Sequence, residues 1–74
     1  MLLTIYVTTF EKKYINNFYG LNESLEEVKK IANCDNVACV DLVYPKTGEI
    51  IISYKGGELS YTSYDFIKHH NRIY

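Results

Sequence analysis

The residues best suited to chemistry in this chain are two cysteines and two histidines: Cys34, Cys39, His69 and His70. Four such side chains are enough in number for a zinc site. However, neighbouring residues on a helix point about 100° apart, so His69 and His70 are poorly arranged to share one metal ion. Cys39 also falls inside a predicted strand. We therefore expect no metal and no other cofactor. The cysteines are interpreted as free thiols, with a Cys34–Cys39 disulfide as the lesser alternative.

Cysteine-based catalysis is the next possibility, because Cys39, Asp41 and a histidine could form a nucleophile, an acid and a base. That chemistry needs a base held beside the thiol and donors that stabilise an oxyanion. No nucleophile-elbow motif accompanies these residues, and the pattern places no base next to either cysteine. The sequence therefore predicts a protein that is not an enzyme.

A pair of glycines, Gly56-Gly57, raises the question of phosphate binding. A P-loop requires the spacing GxxxxGK[ST] between a strand and a helix, and the stretch KGGE has neither that length nor a following helical pattern. Two glycines between alternating segments are instead typical of a two-residue hairpin turn. We interpret them as a turn that places Lys55 opposite Glu58.

The elements that would position these residues begin with a strand over 2–9, where Leu3, Ile5 and Val7 alternate with Thr4, Tyr6 and Thr8. Tyr6 is therefore expected on the side opposite to Leu3, Ile5 and Val7. The segment 10–21 fits either a long loop or a short extra strand near Tyr14–Tyr19. A helix is predicted over 24–33, with Ser24 and Glu27 as a capping box. A short helix is predicted over 63–71, starting after Thr62 or Ser63.

Three strands in the second half of the chain form a meander: 37–44, 49–55 and the strand after the glycine pair. A three-residue loop ending at Gly48 would pair Tyr44 with Ile50, Leu42 with Ile52 and Val40 with Tyr54. The glycine turn would pair Tyr54 with Leu59 and Ile52 with Tyr61. The predicted buried face then consists of Ala38, Val40, Leu42, Tyr44, Ile50, Ile52, Tyr54, Leu59 and Tyr61. Val43 and Ile51 would lie opposite each other on the other face, either as a second small core or as an exposed patch.

These elements predict one domain over residues 1–74, of the α+β class. The expected architecture is a small two-layer sandwich in the order β-α-β-β-β-α. It combines a mostly antiparallel sheet of three to four strands with one or two helices. Strand one is expected to lie beside a meander strand.

Charge and hydrophobicity restrict the possible partners. The net charge is −1, and neither half of the chain has a clear excess of positive or negative charge. The sequence therefore shows no cluster of cations of the kind that binds nucleic-acid phosphates. No segment has the ~20 apolar residues of a membrane span. The apolar start lacks the features of a signal peptide. We expect a cytoplasmic protein that does not bind membranes.

The 8 tyrosines fall into two groups. Tyr44, Tyr54 and Tyr61 share the predicted apolar face and are assigned to the core. The others have no core role, and exposed tyrosine is favoured at protein interfaces. Together with the charged pair at the glycine turn, they give the candidate partner-binding residues Tyr6, Tyr14, Tyr19, Lys55, Glu58 and Tyr64.

In class, the chain is similar to the small single-domain accessory proteins of phages and mobile elements, including anti-CRISPR inhibitors. The likeness rests on its length, on its helix-plus-meander pattern and on residues with A/T-rich codons: Lys, Asn, Ile and Tyr make up 29 of 74 residues. It includes no family-specific motif, so it transfers no site residue. The resemblance implies a protein that inhibits a host defence complex by occupying its surface.

Two other functions remain open. The first is nucleic-acid association through the cations Lys12, Lys13, Lys55, Lys68 and Arg72. The second is self-assembly through a free sheet edge, for which a homodimer is the simplest form. The partner expected first is a host or phage protein.

Overall fold

A computed structural model describes residues 1–70 of the chain. The helices and strands, in chain order, are β1 (Leu2–Thr9), β2 (Lys13–Tyr19), α1 (Leu21–Ala32), β3 (Val37–Tyr44), β4 (Glu49–Lys55), β5 (Glu58–Thr62) and α2 (Tyr64–His70). The α+β class and the two helices are therefore confirmed. The last position of the predicted C-terminal helix, residue 71, and Tyr74 lie outside the described residues.

All the strands belong to one antiparallel sheet with the order β2-β1-β3-β4-β5. Strand β1 lies beside the meander strand β3, as predicted. Strand β2 pairs with β1 over its whole length and makes the sheet five-stranded. The sequence did not decide whether residues 10–21 form a loop or a strand. The reason is that polar and apolar residues alternate only weakly in a strand that lies at an edge and is mostly exposed.

One hydrophobic core lies between the sheet and the helices. It contains Leu3, Ile5 and Val7 of β1, which the alternation of β1 predicted, and it includes Val40 and Leu42 of β3. From α1, Val28, Ile31 and Ala32 pack against these strands, and Phe66 is the buried residue of α2. Tyr44 packs against this core, and its ring contacts the Phe66 ring at a tilted angle, with centroids 5.3 Å apart. Both helices therefore cover the same face of the sheet, which we call the helix face.

Helix α1 begins at Leu21, so the predicted start at Ser24 and the capping box of Ser24 and Glu27 are wrong. The residue before the helix is Gly20, whose φ of 89° is accessible to glycine at little cost. Ser24 lies inside the first turn and is fully buried, and its Oγ donates a hydrogen bond to the Gly20 carbonyl at 2.7 Å. The sequence does not distinguish a serine inside the first turn from a serine at the N-cap, because in either position the short hydroxyl bonds to nearby backbone groups.

In the hairpin of β3 and β4, two predicted pairs are confirmed and two are wrong. Leu42 pairs with Ile52 and Val40 with Tyr54, but Tyr44 pairs with Glu49 and Val43 with Ile50. The register shifts because Ile51 is an extra residue, a β-bulge, in β4. Gly48 has the predicted left-handed conformation, with φ of 77°, but it ends a four-residue loop. The pairing of Val43 with Ile51 is therefore wrong.

The hairpin of β4 and β5 contains a second bulge. Both glycines of its turn have positive φ, and Lys55 lies opposite Glu58, as predicted. Tyr54 also pairs with Leu59, but the register then shifts at Ser60, so Ile52 pairs with Thr62 instead of Tyr61. Tyr61 and Leu59 are exposed, and their assignment to the core is wrong.

The opposite face of the sheet, which we call the open face, is defined by Tyr6 of β1 and the residues that share its side of the sheet. No described helix packs on it, because the core residues of α1 and α2 join the cluster on the helix face. The two bulges decide which side chains it displays. They turn Ile50 and Tyr61 outward and leave Ile51 buried.

Candidate protein-binding face

Cross-strand pairing arranges the open face in rows. The central row crosses all five strands and consists of Ile15, Tyr6, Asp41, Ser53 and Tyr61. On one side of it lies the row Lys13, Thr8, Cys39, Lys55 and Glu58, and on the other side lies the row Asn17, Thr4, Val43 and Ile50. Tyr19 and Leu2 complete the face at the β2 end. The central row therefore combines exposed aromatic and aliphatic side chains with Asp41 and Ser53. The row on one side of it is mostly polar or charged, and the residues on the other side are mixed polar and apolar.

Tyr6 and Ile15 form the apolar centre on the β1–β2 side. They are direct cross-strand partners, and 44% of Tyr6 and 58% of Ile15 is exposed. A depression of about 540 Å³ surrounds them, and Thr8, Lys13 and Asp41 also contribute to its lining. An aromatic ring and a branched aliphatic chain at this exposure offer contact area that is already held in place by a sheet.

Asp41 and Ser53 lie at the middle of the same row. The Ser53 hydroxyl donates a hydrogen bond to Asp41 Oδ1, and Ser53 itself is almost fully buried. This bond fixes the carboxylate between the two tyrosines of the row. An aspartate restrained in this way can accept a hydrogen bond from a partner without first losing side-chain freedom.

The charges on the open face are balanced. Lys13 and Lys55 occur in one row together with Glu58, and Asp41 occurs in the central row. Lys12 lies elsewhere, with its Nζ 5.9 Å from the Tyr14 ring, and Lys68 belongs to α2. The described cations are therefore divided between the two sides of the sheet, and Arg72 lies outside the described residues.

Four of the six candidate residues predicted from the sequence lie on the open face: Tyr6, Tyr19, Lys55 and Glu58. They are spread across it, because Tyr19 lies at the β2 edge and the pair of Lys55 and Glu58 lies on β4 and β5. Tyr14 pairs with Val7, so it belongs to the helix face at the β2 edge. Tyr64 is 74% exposed at the start of α2, away from the open face. The structure thus divides the predicted set into one group of four and two separate positions.

Three contributors to the open face were missed by sequence reasoning: Ile15, Ile50 and Tyr61. Ile15 was hidden in the unassigned segment, because the residues that share its side of β2, Lys13, Asn17 and Tyr19, mix polar and aromatic types and give no clear strand pattern. Ile50 and Tyr61 were assigned to the core because each lies beside a bulge that inverts the expected side. Three consecutive isoleucines in β4 gave no pattern that could place the bulge.

The cysteines and histidines do not converge. Cys34 is exposed just after α1, and Cys39 is half-buried on the open face; both are free thiols. The His69 and His70 rings lie 4.8 Å apart on α2. Among residues 1–70, no group of three or more histidine, cysteine and acidic side chains is close enough to hold a metal ion.

No helix within the described part of the chain has both the length and the apolar character needed to cross a bilayer. Comparisons with known protein families, with curated proteins and with solved structures found no match for this chain.

Proposed function

We propose that the protein is a non-enzymatic binding module whose open face docks on another protein. The observation that carries the proposal is the uncovered central row, in which Ile15, Tyr6 and Tyr61 are exposed on a sheet supported from behind by the core. Protein interfaces are enriched in tyrosine at their centre and have a polar rim, and the open face presents exposed tyrosines on a rigid sheet among polar residues.

A protein partner suits this face better than nucleic acid does. Binding to a phosphate backbone requires several cations on one surface. The open face has two lysines, Lys13 and Lys55, and two acids, Asp41 and Glu58, and Glu58 lies directly opposite Lys55. A balanced pattern of this kind is suited to the mixed charges at the rim of a protein interface.

The class of partner and the compartment follow from the resemblance to small phage and mobile-element proteins. We propose that the partner belongs to a host defence complex and that the protein inhibits the complex by occupying its surface. A cytoplasmic location is part of the proposal, and the free thiols Cys34 and Cys39 are compatible with it.

The test is affinity capture from a host lysate, followed by mass spectrometry and a binding titration with the captured protein. The informative variant combines Tyr6→Thr with Ile15→Thr, because threonine is compatible with a strand and removes both apolar contacts. The expected result is that the double variant binds at least about 30-fold more weakly, since two central contacts are lost.

The matched control is Tyr64→Thr, which removes a more exposed tyrosine from α2 and leaves the open face unchanged. This control should bind like the unmodified protein. Equal binding by the double variant would contradict the assignment of the open face. A folded protein that captures no partner would count against a binding module altogether.

A further inference from the structure

Strand β2 lies at one edge of the sheet, and within residues 1–70 no further strand pairs with it. Two backbone hydrogen bonds show which of its groups point away from β1. Gly20 N–H donates to the Met1 carbonyl at 2.9 Å, and Thr9 N–H donates to the Lys12 carbonyl at 2.8 Å. These bonds mark the hydrogen-bonded pairs of the β1–β2 ladder, which recur at every second residue. Tyr14, Asn16 and Phe18 therefore turn their backbone groups towards β1. The outward backbone groups belong to Lys13, Ile15, Asn17 and Tyr19.

The two edges of the sheet differ in how open they are. At the far edge, β5 is only 5 residues long and is interrupted by the bulge at Ser60, both of which hinder pairing with another strand. At the near edge, β2 has 7 residues and continuous register with β1. Lys13 is the only charged residue within β2. A regular edge with one charge is a template for a further strand.

We propose that β2 pairs with β2 of a second copy of this chain, antiparallel and about a two-fold axis at Asn16. This register uses the whole strand. It makes hydrogen-bonded pairs of Lys13 with Tyr19 and of Ile15 with Asn17, whose backbone groups all point outward. It makes non-hydrogen-bonded pairs of Tyr14 with Phe18 and of Asn16 with its own copy.

The side chains of β2 are complementary to themselves in this register. On the helix face, Tyr14 meets Phe18 twice, at the pair type in which cross-strand side chains are closest. On the open face, each Lys13 meets a Tyr19 ring, an arrangement suited to a cation–π contact. No like charges oppose each other within the strand.

The ends of the strand also match in charge. The same register places Lys12 opposite Gly20 of the second copy. In one chain the Glu23 carboxylate lies directly over Gly20. A lysine at one end therefore approaches a glutamate at the other end, and the two-fold axis repeats this contact.

The product is a closed dimer with one continuous ten-stranded sheet, because each copy contributes five strands. The two open faces become one surface of twice the width. This inference does not depend on the proposed partner, since it uses the edge of the sheet and leaves the open face uncovered.

The experiment measures molar mass in solution by light scattering and sedimentation over a range of protein concentrations. The unmodified protein should reach twice the 8.6 kDa of one chain and go no higher. Tyr19→Lys should weaken the dimer on the order of 30-fold, because it replaces two cation–π contacts with two like-charge contacts. Tyr64→Lys is the matched control, since Tyr19 and Tyr64 are 75% and 74% exposed, and it should leave the dimer intact.

Two further variants test the register itself. Adding Lys13→Glu to Tyr19→Lys places opposite charges across the interface and should restore the dimer. In a background of Cys34→Ser and Cys39→Ser, Asn16→Cys should form an intermolecular disulfide at the axis, where a Cα separation of about 4.5 Å permits one. Asn17→Cys should not, because its partner is Ile15.

A monomer at every concentration would overturn the proposal, and so would assemblies larger than a dimer. A dimer that is insensitive to Tyr19→Lys would also overturn it, because the contact would then lie elsewhere. Failure of the capture experiment would leave this result unaffected, so the two proposals fail separately.

Discussion

Shortening two neighbouring isoleucines of β4 to valine tests the bulge that separates the two faces of the sheet. Ile51 is fully buried, whereas 43% of Ile50 is exposed. A bulge-free register would give the reverse, with Ile50 in the core and Ile51 on the other face. The two substitutions remove the same methyl group from adjacent positions, so they form a matched pair.

The expected magnitudes follow from burial. Ile51→Val removes a methyl group from a packed site and leaves a small cavity, which costs about 0.5–1.5 kcal/mol of unfolding free energy. Ile50→Val should stay within about 0.5 kcal/mol of the unmodified protein, as surface changes usually do. A domain of this size has a stability of roughly 4–11 kcal/mol, so both variants should remain folded.

Urea denaturation followed by circular dichroism gives the measurement. For a small protein the unfolding free energy falls by about 1 kcal/mol per M urea, so Ile51→Val should lower the midpoint by about 0.5–1.5 M, and Ile50→Val should barely change it. A larger loss at Ile50 than at Ile51 would refute the bulge. It would also return Ile50 to the core and remove it from the open face.

Two other perturbations test the glycine turn and the buried serine. Gly56→Val should destabilise the fold by about 1–2 kcal/mol because valine is strained at φ of 59°, whereas Gly56→Asn should be close to neutral; equal thermal midpoints for the two variants would rule out the positive-φ turn. Ser24→Asp would be tolerated if Ser24 were a helix cap, but the buried position of Ser24 predicts a loss of several kcal/mol, and near-native stability in urea would show that the helix begins at Ser24 after all.

Sequence periodicity predicted the parts of the fold in which local and tertiary preferences agree. The alternation of β1 placed Leu3, Ile5 and Val7 in the core, and the glycine pair gave the tightest turn. Sequence periodicity could not place the bulges, because the position of an extra residue in a strand depends on packing on both faces of the sheet and not on the pattern of that strand. In β4, the run of Ile50, Ile51 and Ile52 satisfies either register equally well.

The candidate site was predictable to the extent that it depends on regular strands. Tyr6 was placed opposite the core by simple alternation, and it lies at the centre of the open face. Ile15 could be placed on this face only once residues 13–19 were known to form β2. Tyr61 could be placed there only once the bulge at Ser60 was known. Tyr14 was separated from the others because an odd and an even position of one strand face opposite sides.

The strand order has a consequence for how the chain reaches its native state. Three of the four strand pairings join neighbours in sequence, but the β1–β3 pairing must enclose residues 10–36. Contacts over such a separation carry the larger loop-closure entropy and slow folding. We infer that β1–β2 and β3–β4–β5 form as two local units and that the seam between β1 and β3 closes last. In this order the hairpin turns are already formed in the transition state, so mutations in them should slow folding. Seam contacts that form after the transition state should change mainly the rate of unfolding.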